Sequence, residues 1–216
     1  MQEYDGGEMI SWYKEYHIDD ICILICEKSD LTSQEVEETE PMMKPYRNRS
    51  ESWDYRSASA LVYAIFNIYH IPLELYRETD DGRPFLAGGR GDISISHSGN
   101  FTALAFTSDS SKSIGIDIEE IERAFKKDVS RLADRFFSEE EYLAVRKSNA
   151  PILKFLELWT RKEALMKSLR IPLSRLLKEE KTVLSEWTAG RLVVKKLFEQ
   201  DQFSDKVVGS LCYYEM

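Results

Sequence analysis

Apolar residues fall into short runs and helical stripes along this chain. The run around Asp20 to Glu27 is continuously apolar at its centre and predicts a buried strand. Tyr55 to Tyr69 is rich in Ala and Leu at helical spacing, which predicts a helix closed by Pro72. Ile93 to His97, Phe101 to Thr107 and Ser113 to Glu119 predict three strands. The turns between them, at Ser98-Gly99-Asn100 and Ser108 to Lys112, make an antiparallel meander the simplest arrangement. Ser138 followed by Glu141 is a capping-box pattern that opens a helix running through Lys147. Pro151 suits the first turn of a further helix reaching about Leu169. Thr182 to Trp187, Arg191 to Phe198 and Lys206 to Tyr214 predict closing strands, with Ala189-Gly190 as the first turn between them. Two polar stretches interrupt the pattern, a linker-like segment from Asp30 to Glu51 and a turn-rich loop over residues 81–92.

His70-Ile71-Pro72-Leu73 and Arg170-Ile171-Pro172-Leu173 lie 100 residues apart, and each follows a predicted helix. This echo suggests two similar α+β subdomains, 1–100 and 101–216.

Composition narrows the classes. The 216 residues carry 29 Lys+Arg and 38 Asp+Glu, a formal charge of −9 that disfavours a general nucleic-acid binder. A hydrophobic content of 43% argues against a disordered chain. The apolar runs are too short to span a bilayer, and the first ten residues lack a secretory pattern. Cys22, Cys26 and Cys212 have no framework spacing, so reduced thiols in a cytoplasmic protein are expected, with Cys22 and Cys26 as core thiols rather than metal ligands.

Three segments carry candidate chemistry. In Gly115-Ile116-Asp117-Ile118-Glu119, strand alternation turns the isoleucines inward and sets Asp117 and Glu119 on the other face, roughly 7 Å apart at Cα. Two carboxylates so placed suit a hard divalent cation such as Mg²⁺; they also suit a solvated strand face. In the helix to Leu169, Phe155, Leu158, Trp159, Leu165, Met166 and Leu169 form an apolar stripe with Lys162 in its middle, and Glu163 and Lys167 flank it. Lys162 either snorkels or meets an anion in a cleft, because an unpaired buried ammonium is costly. Ser94 to Gly99 ends a strand with hydroxyls and one imidazole, a polar turn or a phosphate contact. No nucleophile-elbow pattern surrounds these serines.

The motifs G-R-P-F (82–85), I-S-H-S (95–98), G-I-D-I-E (115–119), R-F-F-S (135–138) and W-T-R-K-E-A (159–164) follow one another in that order. Together, over about residues 55–173, they resemble the 4′-phosphopantetheinyl transferases, in their larger, monomeric, two-subdomain class. The resemblance implies two α+β halves forming a pseudo-dimer with the active site in the cleft between them. It implies transfer of the phosphopantetheine arm of coenzyme A to a serine of an apo acyl or peptidyl carrier protein. It implies Mg²⁺, with Mn²⁺ as an alternative, on Asp117, Glu119 and Glu163, and catalysis by Glu163 and Lys162. Its donor contacts fall on Arg56, on Gly82, Arg83 and Pro84 beside the adenine, on Ser96 and His97 near the 3′-phosphate, on Lys167, and on Asp117 and Lys162. Of the upstream basic residues that the family uses, Lys44, Arg47 and Arg49 are the candidates here. The basic residues Arg123, Lys126, Lys127, Arg131, Arg135, Arg146 and Lys147, with the helix end after Glu163, would form a docking face for an acidic carrier; they also suit a solvated helix surface. A non-catalytic coenzyme A or carrier-binding module and a Mg²⁺-dependent phosphohydrolase are the competing functions.

Overall fold

A computed structural model describes residues 12–43, 45, 52–174, 177, 190–198 and 203–215. The first sheet has the order β1-β2-β6-β5, where β1 is Lys14–Ile18, β2 Ile21–Glu27, β5 Asp92–Ser98 and β6 Phe101–Thr107. The second has the order β7-β9-β8, with β7 Lys112–Glu120, β8 Arg191–Leu197 and β9 Val207–Glu215. A small hairpin pairs β3 (Tyr76–Glu78) with β4 (Pro84–Leu86). Helices α1 (Ser33–Met43) and α2 (Trp53–Ile68) precede β3; α3 (Ile121–Ala124), α4 (Val129–Phe136), α5 (Glu139–Lys147) and α6 (Pro151–Leu169) lie between β7 and β8.

The same unit occurs twice. In β2-α2-β5-β6 and in β7-α6-β8-β9, a strand, a long helix and an antiparallel strand pair build a sheet ordered first-last-middle. Each helix is joined to the last strand of its unit by a buried hydroxyl pair, Ser57 with Thr102 at 2.7 Å and Thr160 with Ser210 at 2.9 Å. Each helix also ends alike. His70 and Arg170 take left-handed conformations, φ 52° and 56°. Behind them Ile71 N–H reaches back to Phe66 O at 2.8 Å, and Ile171 N–H to Met166 O at 3.2 Å. This is the 6→1 bond of a Schellman stop. The repeated Ile-Pro-Leu tripeptides therefore mark equivalent helix ends. A cut between residues 100 and 101 runs through the β5–β6 hairpin, whereas a cut within 108–111 leaves both units whole.

Other elements differ from the sequence expectations. Part of the linker-like stretch is helical: α1 carries Pro41 inside it and buries Val36 and Met43 against the first core. The helix over 53–68 is stopped by His70 rather than by Pro72. The loop 81–92 contains β4, because Thr79 and Arg83 close a turn that lets Pro84–Leu86 pair with β3. β1 was not anticipated, since its pattern is polar on one side and it is an edge strand. The meander is broken: β7 pairs with β9 and makes no backbone ladder with β6. The capping box on α5 forms with both of its bonds. The expected strand over 182–187 lies outside the described residues.

Side chains join the two sheets. Asp92, Ser94, Ser96 and Ser98, alternate residues of β5, accept hydrogen bonds from the backbone N–H groups of Ile114 (2.9 Å), Ile116 (3.1 Å), Ile118 (3.3 Å) and Glu120 (3.1 Å). The ladder runs parallel and satisfies amides of β7 that no strand pairs. One core packs α1 and α2 on the first sheet; another fills the space between the two sheets with Ile21, Ile23 and Ile25 against Ile114, Ile116, Ile118 and Leu211.

Candidate active site

The cleft between the units gathers most of the sequence-predicted residues. Gly115 has a structural reason: a Cβ there would sit 2.1 Å from Ala164 O and 2.6 Å from Ser168 N. Its absence lets α6 lie directly on β7, where Ser113 and Ser168 exchange two hydroxyl-to-carbonyl bonds of 2.7 and 2.9 Å. That approach places Glu163 and Lys167 over Asp117. Lys167 Nζ donates to Asp117 Oδ1 at 2.8 Å and to Ile116 O at 2.9 Å.

Serines of the β5–β7 seam hold the strand carboxylates. Ser96 Oγ accepts from Ile118 N–H and donates to Asp117 Oδ1 at 2.7 Å. Ser98 Oγ accepts from Glu120 N–H and donates to Glu119 Oε2 at 2.6 Å. Asp117 is buried, and its Oδ2 has no hydrogen-bond partner among the described residues. Glu163 is pushed up to about 7, first by burial and then by the charge of Asp117, with Glu119 adding to it and Lys167 opposing. Asp117, Glu119 and Glu163 thus crowd more negative charge than one lysine offsets. An orphaned carboxylate oxygen, a neighbouring carboxyl pushed up by burial and an oxygen-only donor set suit a hard divalent cation, which would draw the three carboxylates together, since one oxygen from each does not lie within 4.8 Å of the others.

Beside these groups opens a cleft of about 490 Å³ lined by Gly82, Arg83 and Pro84 from one unit and Met166, Lys167, Arg170 and Ile171 from the other, with Ser94 between them. Gly82 takes φ 81°, which turns the chain before Arg83. Arg83 and Arg170 approach the buried Asp92 to 3.8 and 3.7 Å. Burial holds Arg83 below its usual pKa while Asp92 opposes the shift. Two guanidiniums and Lys167 at one cleft suit an anionic ligand.

The remaining predicted residues spread outward. His97 ends β5 half-exposed, with Nδ1 3.6 Å from Asp54 Oδ2. Burial holds it below its ordinary value, against the pull of Asp54. Arg56, in the first turn of α2, stacks over Trp53 at 5.9 Å. Lys44, Arg47 and Arg49 lie outside the described residues.

Lys162, expected to face a phosphate in the cleft, is 0% exposed. Its Nζ lies 3.0 Å from Glu141 Oε1 and 5.8 Å over the Phe137 ring. Glu141 is also the capping-box residue of α5 and receives Arg161 at 3.1 Å. A lysine in an apolar stripe needs an anion, and the helix packed on that stripe provides one. Sequence reasoning missed the seam to β7 made by Asp92, Ser94 and Ser98, the serines reading there only as a polar turn or a phosphate contact, and it missed Asp54, Glu141 and Arg170. The alternation in Asp92-Ile93-Ser94-Ile95-Ser96-His97-Ser98 was the available signal for the first three, because one face of a strand is wholly polar there.

Known proteins match the same region. Residues 113–211 match the model of the 4′-phosphopantetheinyl transferase superfamily. A curated relative, the 4′-phosphopantetheinyl transferase gsp of Aneurinibacillus migulanus, is 35% identical over 111 residues. Over these residues the chain is similar to the 4′-phosphopantetheinyl transferase superfamily. The alignment covers 49% of this chain and 43% of that relative. The matched segment runs from Ser113 in β7 through α6 to Leu211 in β9, and so carries Asp117, Glu119, Lys162, Glu163 and Lys167. Gly82 to Pro84, Ser96 and His97 precede it. Among the described residues, no helix is long and apolar enough to cross a membrane.

Proposed function

We propose that this chain is a 4′-phosphopantetheinyl transferase and transfers the 4′-phosphopantetheine arm of coenzyme A to a serine hydroxyl of an apo acyl or peptidyl carrier protein. The carrying observation is Lys167, which lines the cationic cleft and bonds Asp117 at the same time. A ligand seated against Arg83, Arg170 and Lys167 has its phosphates beside the carboxylates.

Asp117, Glu119 and Glu163 would hold Mg²⁺, or Mn²⁺ in its place. When bound, the ion supplies Lewis-acid polarisation of the diphosphate. The Gly82-Arg83-Pro84 turn takes the adenine side of the donor. Arg83, Arg170, Ser96 and His97 serve its phosphates, with Arg56 at the N-terminus of α2 as a further contact. Ser96 and Ser98 orient the strand carboxylates. Glu163 accepts the proton of the carrier serine as the Ser Oγ–P bond forms. The P–O bond to the adenosine side breaks, and adenosine 3′,5′-bisphosphate leaves with the electron pair. Positioning and charge carry most of such a reaction. Lys162 acts as a positioning residue that locks α5 on α6 through Glu141.

The carrier would approach over a groove of about 500 Å³ lined by Leu132, Phe155, Leu156 and Trp159 together with Lys127, Asp128, Arg131 and Arg135. Glu119 is also among its lining residues, so the groove adjoins the site. Because one chain supplies both halves of the cleft, we assign a monomer. Three buried free cysteines suit a reducing cytoplasm.

Incubation with coenzyme A, Mg²⁺ and an apo carrier, followed by weighing of the carrier, tests the reading. A carrier heavier by one phosphopantetheine supports it. Coenzyme A breakdown without carrier modification points to a phosphohydrolase, and binding without either product points to a non-catalytic module.

A further inference from the structure

At the opposite edge of the first sheet from β5, three side chains of different chemistry converge. Glu15 and His17 are alternate residues of β1 and share a face. Cys22 on β2 is the direct cross-strand partner of His17, so its side chain points to that same face. One ligand atom from each of Glu15, His17 and Cys22 lies within 4.8 Å of the other two, a grouping that among the described residues only these three make. His17 Nε2 and Glu15 Oε1 are 2.7 Å apart. The His17 and Glu15 side chains are open to solvent, at 55% and 38% exposure, while the thiol is buried beneath them.

We propose that Glu15, His17 and Cys22 form a binding site for Zn²⁺ or a similar borderline-soft divalent cation, separate from the carboxylates of the cleft. The donor set is nitrogen, sulfur and oxygen, which Zn²⁺ accepts and Mg²⁺ does not. Three protein ligands leave the fourth tetrahedral position to water, which the open edge of β1 admits. The Cys22 thiol is pushed up to about 12 by burial and by the charge of Glu15, with Tyr69 opposing. Coordination therefore releases its proton to the buffer as the metal–sulfur bond forms. The bound ion would pin an edge strand to its neighbour. Three strand spacings, about 14 Å, separate β1 from β5, so the site can fill without touching the transfer chemistry.

The test is Co²⁺ titration of the chelator-treated full chain, followed by displacement with Zn²⁺. The expected result is one equivalent of Co²⁺ with a thiolate-to-metal charge-transfer band in the near ultraviolet, absent in Cys22→Ser and bleached by Zn²⁺. The all-oxygen cleft site cannot give that band. His17→Ala, at an exposed position that leaves the fold intact, is expected to weaken binding at least tenfold. The proposal is overturned by absence of the band, by a band that survives Cys22→Ser, or by unchanged affinity in His17→Ala.

Discussion

Ser98 stands between Glu119 and the joint of the molecule: its hydroxyl accepts the Glu120 amide at 3.1 Å and donates to Glu119 Oε2 at 2.6 Å. The contact that holds the two units together also orients a candidate metal ligand. Ser98→Ala keeps the apolar packing and removes that orientation. We expect the Mg²⁺ concentration for half-maximal transfer to rise about 10- to 100-fold, the usual cost of losing a partner behind a metal ligand. The KM for coenzyme A should stay close to wild type. Mg²⁺ titrations at fixed donor and carrier decide this, and an unchanged Mg²⁺ requirement would remove the role given to Ser98.

Glu163→Gln keeps the shape of the side chain and removes its charge and basicity. Transfer should fall by at least about 10²-fold, the scale of a lost general base. The variant should remain folded, since Glu163 sits among like charges that its removal relieves. Steady-state turnover with circular dichroism as a control measures both, and wild-type turnover would contradict the assignment.

Gly115→Ala drives a methyl group into the backbone carbonyl of Ala164. Overpacking of this kind costs about 1–3 kcal/mol, or roughly 2–12 °C in Tm at 2–4 °C per kcal/mol for a chain of this size. Activity should fall further than stability, because α6 carries Glu163 and Lys167 away from Asp117 as it yields. Calorimetry beside a transfer assay at a temperature where the variant is fully folded separates the two effects.

Asp20, in the β1–β2 turn, binds Lys112 of β7 and Thr107 of β6, so it ties the units together at the Asp92 end of the seam. Although burial acts to raise it, the bonds from Lys112 and Thr107 hold its carboxyl below the usual range. A carboxyl with a depressed folded value stabilises the native state above its unfolded pKa of about 3.9 and loses that contribution as pH falls through the folded value. Asp20→Asn should lower stability at pH 7 by less than about 1 kcal/mol, since the pair is partly exposed. The difference from wild type should vanish in strong acid. Denaturant titrations at neutral and acid pH read the effect, and an equal difference at both would refute the linkage.

Reversing charge at Lys127, Arg131 and Arg135 should raise the carrier KM by an order of magnitude or more and make it less sensitive to salt, while the coenzyme A KM stays unchanged. These residues line the groove together with Glu119. An unaltered carrier KM would place docking elsewhere.

The local pattern was enough for much of the fold. Alternation in Ile114, Ile116 and Ile118 identified a strand with Asp117 and Glu119 on its other face, and the Ser138/Glu141 spacing identified a capped helix. Both are properties of a few neighbouring residues, governed by backbone periods of two and 3.6. The tetrapeptides at 70–73 and 170–173 likewise carried the repeat, because a left-handed helix stop is a local event. Partner choice across the chain was not local. That β7 joins β9 rather than β6 depends on which strand arrives beside it, and nothing in Lys112–Glu120 encodes that arrival. The anion beside Lys162 comes from α5, twenty-one residues earlier in the chain. The wheel of α6 could place the ammonium in an apolar stripe but could not say what packs there. By itself the sequence determined which side chains share a strand or helix face and what chemistry they offer. Only the tertiary structure decided which faces meet, since close approach at Gly115 and the serine-to-amide seam of β5 and β7 are contacts between segments that the chain order leaves apart.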